Sequence, residues 1–498
     1  MRQWLALAVV LSGTFLANLD VFIVVVAMPA LERGLHADDG QQQLILAGYQ
    51  LVYGLGLIAG GRLGDHLGSF RVFGAGMVLF TAASLGCGLA PSAGFLVTAR
   101  LAQGLGTALL VPQVFRMAQT LFTGRARRQA FAVTGAVMGI GAVSGQLLGG
   151  WLLAADTFGL GWRAVFLVNV PVGAAALAAL PWAATAQRAP APGGQGAGDG
   201  AGDQDSARTP RLSLRARLDL PGTALAALAS GLFAAPLTAA GGKEVPWWAP
   251  FCLAASVPAT VGFLRYERAV QRRGGCPLLP PGLLSRPGFG RGLALVALAN
   301  CGLNAFVLTL GLLLQQGYGW SPLRTGAGML PTAGAFACAS LLAPRLPVPQ
   351  SRLLCGAAAL ATAGYLGCAA AAVHGEPGRL LLALGVAGAG LGLFIAPALA
   401  FALGTVPDRV SGAAAGVVST VQQLGAALGV CVFGALFFAL VHAGTGHPTA
   451  FALVTVANAV TTALGGFLAR GVSANPVPSP GSQERAAGHE PGGAGGLL

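Results

Sequence analysis

One carboxylate in this chain stands where a carboxylate is costly. Asp20 lies inside an apolar run from Leu5 to Leu31, roughly 3 Å past its midpoint if the run is helical. On insertion scales an acid at the centre of a membrane span costs about 2.5–3.5 kcal/mol, and such residues mark ion or proton pathways by default. Burial favours the neutral carboxyl group, which brings protonation within reach of coupling to conformation. No other acid falls deep in an apolar run; Asp219 stands at the mouth of one. Arg100 is the natural partner. It lies in the run 94–116, about 7–8 Å from its midpoint, and antiparallel threading leaves it only about 4–5 Å from Asp20 in depth. The bland alternatives are a structural ion pair for Asp20 and an arginine snorkelling to the interface for Arg100.

Uncharged polar residues inside apolar runs are candidate substrate contacts: Asn18, Gln103, Gln113, Asn300, Asn304, Gln422 and Gln423. Asn304 is about thirteen residues into its run, near the depth that Asp20 has in the first. Hydrogen bonding between helices is the competing role for each. The six histidines fall in loops or the tail, and the eight cysteines are scattered singly without a CxxC pair. Neither a metal site nor a disulfide framework is expected. No embedded Ser/His/Asp or Cys/His set and no phosphate loop is visible, so an enzyme is not expected and no cofactor is implied.

The elements that must hold these residues are membrane spans. Of 498 residues 55% are hydrophobic and 9% charged, against roughly 25% charged in a soluble domain. So little polar surface makes lipid the solvent for most of the chain. The excess of bases (net charge +13) sits in short tracts between apolar runs, which is topology and not a nucleic-acid surface. Runs near 5–31, 44–63, 72–91, 94–116, 130–155, 164–184, 219–240, 245–266, 291–316, 325–346, 353–373, 379–402, 412–440 and 449–469 predict an all-α polytopic protein of fourteen spans. With the N-terminus inside, 23 Lys and Arg fall inside and 5 outside, which places both termini in the cytoplasm. The expected organisation is a six-helix bundle over 1–184, a disordered linker over 185–217, two extra spans and a loop over 218–290, a second six-helix bundle over 291–470 and a disordered tail over 471–498. Six helices plus six suggest a repeat with the substrate site between the halves.

Several segments carry a family resemblance. Between the second and third runs, Gly61, Leu63, Asp65, Gly68 and Arg71 closely resemble the signature loop of the major facilitator superfamily. Leu19 to Pro29 resembles the first-helix motif of its fourteen-helix drug:proton antiporters, with Phe22 and Val25 where that motif has polar residues. Arg100, Gln103, Gly104 and Gly106 resemble the helix-4 motif. Gly141, Gly145, Gly149 and Gly150 resemble the antiporter motif of helix 5, with Gln146 in place of its proline. Further matches fall at Trp162 to Gly173, Leu218 to Gly222, Ser321 to Pro331 and Gly412 to Gly429.

The resemblance implies a major facilitator fold, two six-helix bundles with two extra central helices, driven by the proton gradient. Asp20 and Arg100 would couple protons. Asp65 and Arg71 would form a cytoplasmic latch, with Asp65 capping the helix that starts near Gly412. Gly141, Gly145 and Gly149 share one helix face and allow close approach of a neighbour. The expected activity is export of amphipathic small molecules, drugs or an endogenous metabolite, by a monomer in the cell membrane, with protons, substrate and lipid as its partners and no nucleic acid. Proton-coupled uptake and a non-transporting sensor of the same fold are the competing readings.

Overall fold

The computed structural model describes residues 2–156, 159–185, 219–239, 246–275, 277, 281–284, 286–406 and 411–471. The linker expected over 185–217 and the tail over 471–498 lie, but for one residue each, outside the described residues. The described chain is helical throughout, with no strand among the described residues.

Six helices form the first bundle: α1 (Arg2–Leu35), α2 (Asp39–Leu67), α3 (Ser69–Gly88), α4 (Ala93–Leu121), α5 (Gly124–Ala155) and α6 (Gly161–Thr185). Two follow, α7 (Leu220–Ala239) and α8 (Ala249–Arg272). The second bundle holds α9 (Gly288–Gly317), α10 (Pro322–Arg345), α11 (Gln350–His374), α12 (Pro377–Gly404), α13 (Ser411–His442) and α14 (Gly446–Ala469). Thirteen of these are long and apolar enough to cross a membrane. The other is α8, whose last two turns carry Arg265, Glu267, Arg268 and Arg272, so its apolar stretch is short for a span.

Local sequence explains the helix ends. Asp38 caps α2 through the Gln41 amide at 2.7 Å, and the Gln41 side chain accepts from the Asp38 amide in return, a reciprocal capping box. Ser92 and Ser321 cap α4 and α10. The turn from α2 to α3 passes through Gly68 at φ 89°, a conformation that a side chain would strain.

The alternating helices put Arg2 and the end of α14 on one face of the molecule, the terminal face, and the loop residues 36–38, 159–160 and 318–321 on the far face. The apolar core is arranged unequally between the two. In the far-face half one continuous cluster joins both bundles, from Ile23 and Met28 of α1 to Phe306 of α9 and Phe451 of α14. Toward the terminal face it divides into two separate cores. One, around Phe73, Phe80 and Met117, belongs to the first bundle; the other, around Phe289, Phe394 and Val417, belongs mainly to the second. The halves thus share one core at the far face, while toward the terminal face their cores are separate, with Ile58 of α2 packed against the second and beside Gly416 of α13. Helices α7 and α8 stand beside this assembly, with Ala226 and Phe263 packed on Leu55 of α2.

Candidate functional site

Asp20 falls within about 2 Å of the midpoint of α1 at 1.5 Å per residue and is wholly buried, as is Arg100 of α4. The two form an ion pair through Asp20 Oδ2 and Arg100 Nη1. Asp20 Oδ1 accepts from Gln103 Nε2 at 2.8 Å and from Asn169 Nδ2 of α6 at 3.0 Å. Arg100 donates through Nε to the Ile45 carbonyl of α2 at 2.9 Å and through Nη1 to Gln103 Oε1 at 2.6 Å. Its guanidinium lies over the Tyr49 ring, 4.2 Å from the centroid, a cation–π contact. Gln103 Nε2 also donates to Ser84 Oγ of α3 at 2.9 Å.

Three helices therefore meet at this carboxylate, and Arg100 and Gln103 extend the network to α2 and α3. Close backbone approach makes this possible: a Cβ at Gly104 would come 2.5 Å from the Tyr49 carbonyl, so only glycine there lets α4 come near enough to α2 for Arg100 to reach Ile45. The chemistry open to a buried carboxylate in such a setting is the exchange of a proton. An arginine cannot give up its charge, so protonating Asp20 removes the counter-ion of a cation that stays charged. Arg100 Nη2 and Asn169 Oδ1 already lack partners among the described residues, and a buried polar group left unpaired is costly. Loss of the charge on Asp20 would therefore leave further donors of this network without a charged acceptor.

The expected site residues divide between several places. Asp20, Arg100 and Gln103 come together; Gln103 serves this network instead of facing a substrate. Gln113 is also fully buried and donates from Nε2 to the Gly60 carbonyl at 2.8 Å, fastening α4 to the glycine-rich end of α2. Asn18 and Asn300 each donate to a carbonyl four residues back in their own helix. Asn304 stands between the halves and accepts from Gln50 Nε2 of α2 at 2.9 Å. Gln422 and Gln423 are half-buried on α13, Gln423 with its Cβ close against Gly54 of α2 and its amide beside Tyr53.

The loop residues differ from expectation in their partner. Gly61, Asp65, Gly68 and Arg71 are at the terminal face, but Asp65 pairs with Arg116 at the end of α4, while Arg71 is exposed and makes no ion pair among the described residues. The side chains around Gly412 lie outside the described residues, so a cap by Asp65 on α13 is not placed. The α5 glycines also serve two neighbours. Gly141, Gly145 and Gly149 meet α1 between Phe15 and Ile23, whereas Gly150 meets α10 of the other half, where a Cβ would come 2.6 Å from the Pro322 carbonyl.

Asn169, Ser84, Tyr49, Gln50 and Arg116 were not singled out from sequence. Asn169 stood in a quoted motif without a role, and Gln50 is a polar residue inside an apolar run, the criterion that selected Asn304. Far-face bonds between the halves complete the picture. Gln315 Nε2 donates to the Val26 carbonyl at 2.9 Å, Gln316 Nε2 to Glu32 at 2.6 Å, and His442 of α13 faces Asp39 of α2 at 3.2 Å.

Comparison with known proteins agrees with this architecture. The sequence model of the Major Facilitator Superfamily matches residues 10–430. A probable actinorhodin transporter of Streptomyces coelicolor is 33% identical, over 88% of this chain and 73% of its own. A puromycin resistance protein of Streptomyces alboniger is 35% identical, over 86% of this chain and 81% of its own. A bacterial homologue of the human lysosomal transporter Spinster, solved in an inward-facing and unoccupied conformation, shares the fold with a TM-score of 0.63 at 17% identity, over 94% of this chain and 96% of that one. The chain belongs to the major facilitator superfamily. It is a multi-pass membrane protein whose function is transport and not catalysis.

Proposed function

We propose that the protein exports small amphipathic molecules from the cytoplasm in exchange for protons, with its terminal face inside the cell. The observation that carries this reading is the sealed constellation of Asp20, Arg100, Gln103 and Asn169, one carboxylate of α1 held by donors from two further helices, α4 and α6. A carboxylate at such depth is retained where it moves charge. Relatives named for antibiotic transport and resistance support an exporter of that kind, and the surplus of Lys and Arg on the terminal side supports the orientation.

The described conformation is the inward state of the cycle in this reading: bundles joined in one core at the far face, with separate cores toward the terminal face. Substrate enters between them. The halves then rock, the far-face bonds of Glu32, Asp39 and Gln315 break, and Asp20 gains access to the outside. A proton from there neutralises it and frees Arg100. Return to the inward state releases the proton to the cytoplasm and restores the ion pair.

The test uses inverted membrane vesicles loaded with a pH-sensitive dye, energised, and challenged with a panel of antibiotics and lipophilic compounds. Substrate-dependent loss of lumenal protons in wild type, absent in Asp20→Asn, is the expected result. A panel that moves substrate without moving protons would overturn the antiport.

A further inference from the structure

On the far face, α10 and α12 of the second bundle flank an open groove of about 440 Å³, within the roughly 300–1,000 Å³ of small-molecule sites. Trp320, Arg324, Gly328 and Pro331 form one wall, and Gly378 and Leu381 belong to the other. The groove has a direction. Pro331 lies seven residues past Arg324, about 10 Å deeper at 1.5 Å per residue, so the charge stands at the mouth and apolar surface continues toward the middle of the bilayer. Leu323 and Leu382, each next to a lining residue, are exposed. Exposed leucine on a span faces lipid tails, so the groove opens sideways into the bilayer and not into the cleft between the halves.

The mouth suits a negative charge. Arg324 holds its guanidinium over the Trp320 ring, 4.3 Å from the centroid, a cation–π contact that orients it. The indole in turn lies close over Gly328, where a Cβ would come within 2.6 Å of the ring. No carboxylate lines the groove, and Arg324 makes no ion pair among the described residues. The charges next along the chain from the α12 wall cancel each other, since Arg379 pairs with Glu376 at 2.7 Å. Arg324 is thus an uncompensated cation at the head of an apolar trough. A phosphate can take charge-assisted hydrogen bonds from the guanidinium, and an acyl chain can cover the trough. A free anion would satisfy the first and leave the second bare.

We infer that this groove binds an anionic phospholipid of the leaflet at the far face, its phosphate on Arg324 and an acyl chain laid along Pro331 and Leu381. A zwitterionic lipid brings a second cation beside Arg324 and binds more weakly. The site is separate from Asp20 and stands whether or not the protein exchanges protons. On its other side α10 carries Gly326, which meets the Gln146 carbonyl of α5 across the halves, so the lipid rests on a helix that joins the two bundles.

The test maps photo-cross-links on the purified full chain in a neutral detergent. The probes are phosphatidylglycerol with a photoreactive acyl chain and phosphatidylcholine with the same chain, with free glycerol phosphate as competitor. Within segments 320–331 and 377–381, phosphatidylglycerol should label about fivefold more than phosphatidylcholine, the worth of one basic residue toward an anionic lipid. Glycerol phosphate should not compete. Arg324→Gln should abolish the excess. Gly378→Leu should abolish labelling of these segments by both lipids; a Cβ at Gly378 meets nothing within 4 Å, so the leucine fills the groove without disturbing the fold. Equal labelling by the two lipids, an excess that survives in Arg324→Gln, or labelling that survives in Gly378→Leu would overturn the proposal. Competition by glycerol phosphate would show a site for a free anion and would overturn it too.

Discussion

Asp20 and Arg100 are not symmetrical partners, although they form one ion pair. Removing the acid in Asp20→Asn leaves a buried guanidinium that cannot shed its proton, and breaking a buried pair in this way costs about 3–5 kcal/mol. Removing the base in Arg100→Gln leaves an acid that can neutralise itself by taking up a proton. Thermal unfolding of the purified variants should therefore show the larger loss in Asp20→Asn. Equal losses in the two variants would contradict this asymmetry. The pair itself was legible in the sequence, since depth along two spans places both charges near one level. Its other partners were not. Gln103 stands one turn from Arg100 and was read as facing substrate; whether it turns inward to Asp20 or outward to the cavity depends on how α1, α3 and α4 pack. Asn169 enters from α6, which sequence separation alone could not bring to Asp20.

At the scale of elements, α5 is the informative helix. Spacing by four showed that Gly141, Gly145 and Gly149 share a face, but spacing does not say which helix that face meets. They meet α1, while Gly150, turned from them by one residue, meets α10 across the interface, where Gly326 of α10 in turn lies against the Gln146 carbonyl. The two contacts make different predictions. Gly145→Leu pushes on the Leu19 carbonyl, where a Cβ alone would come to 2.5 Å, and should destabilise the first bundle by about 1–3 kcal/mol, the usual cost of overpacking, read as a lower melting temperature. Gly150→Leu acts on the seal between bundles and should favour far-face opening with little loss of fold. A cysteine introduced for Val25, in a background stripped of native cysteines, should then react faster with an impermeant maleimide added outside. Unchanged labelling in Gly150→Leu would mean that this contact does not hold the far face closed. The Gly61–Arg71 segment teaches the same lesson at a loop: its turn was readable through Gly68, its ionic partner was not, because Arg116 is brought beside Asp65 by the full length of α4.

The whole molecule follows from composition more fully than any of its parts. A chain with 9% charged residues and fourteen apolar runs has few alternatives to a helical bundle in lipid, and the runs matched the helices closely. The eighth was the exception in character: its last turns hold four charges, so length and position were readable while its apolar depth was not. What no run of letters revealed is the state in which the bundles rest, one shared core at the far face and two separate cores at the terminal face. In the proposed cycle that difference is what the rocking of the bundles would reverse, and Asp20 in the first bundle is the carboxylate that would couple a proton to it. Coupling and transport should accordingly be separable. In proteoliposomes, the protein would be given an exported antibiotic on both sides without a pH gradient, and then the same antibiotic with a gradient imposed. Wild type should exchange substrate in the first case and accumulate it in the second. Asp20→Asn, and Asp20→Asn combined with Arg100→Gln to remove the orphaned cation, should keep the exchange and lose the accumulation. Accumulation that persists in the double variant would contradict the assignment of proton coupling to Asp20.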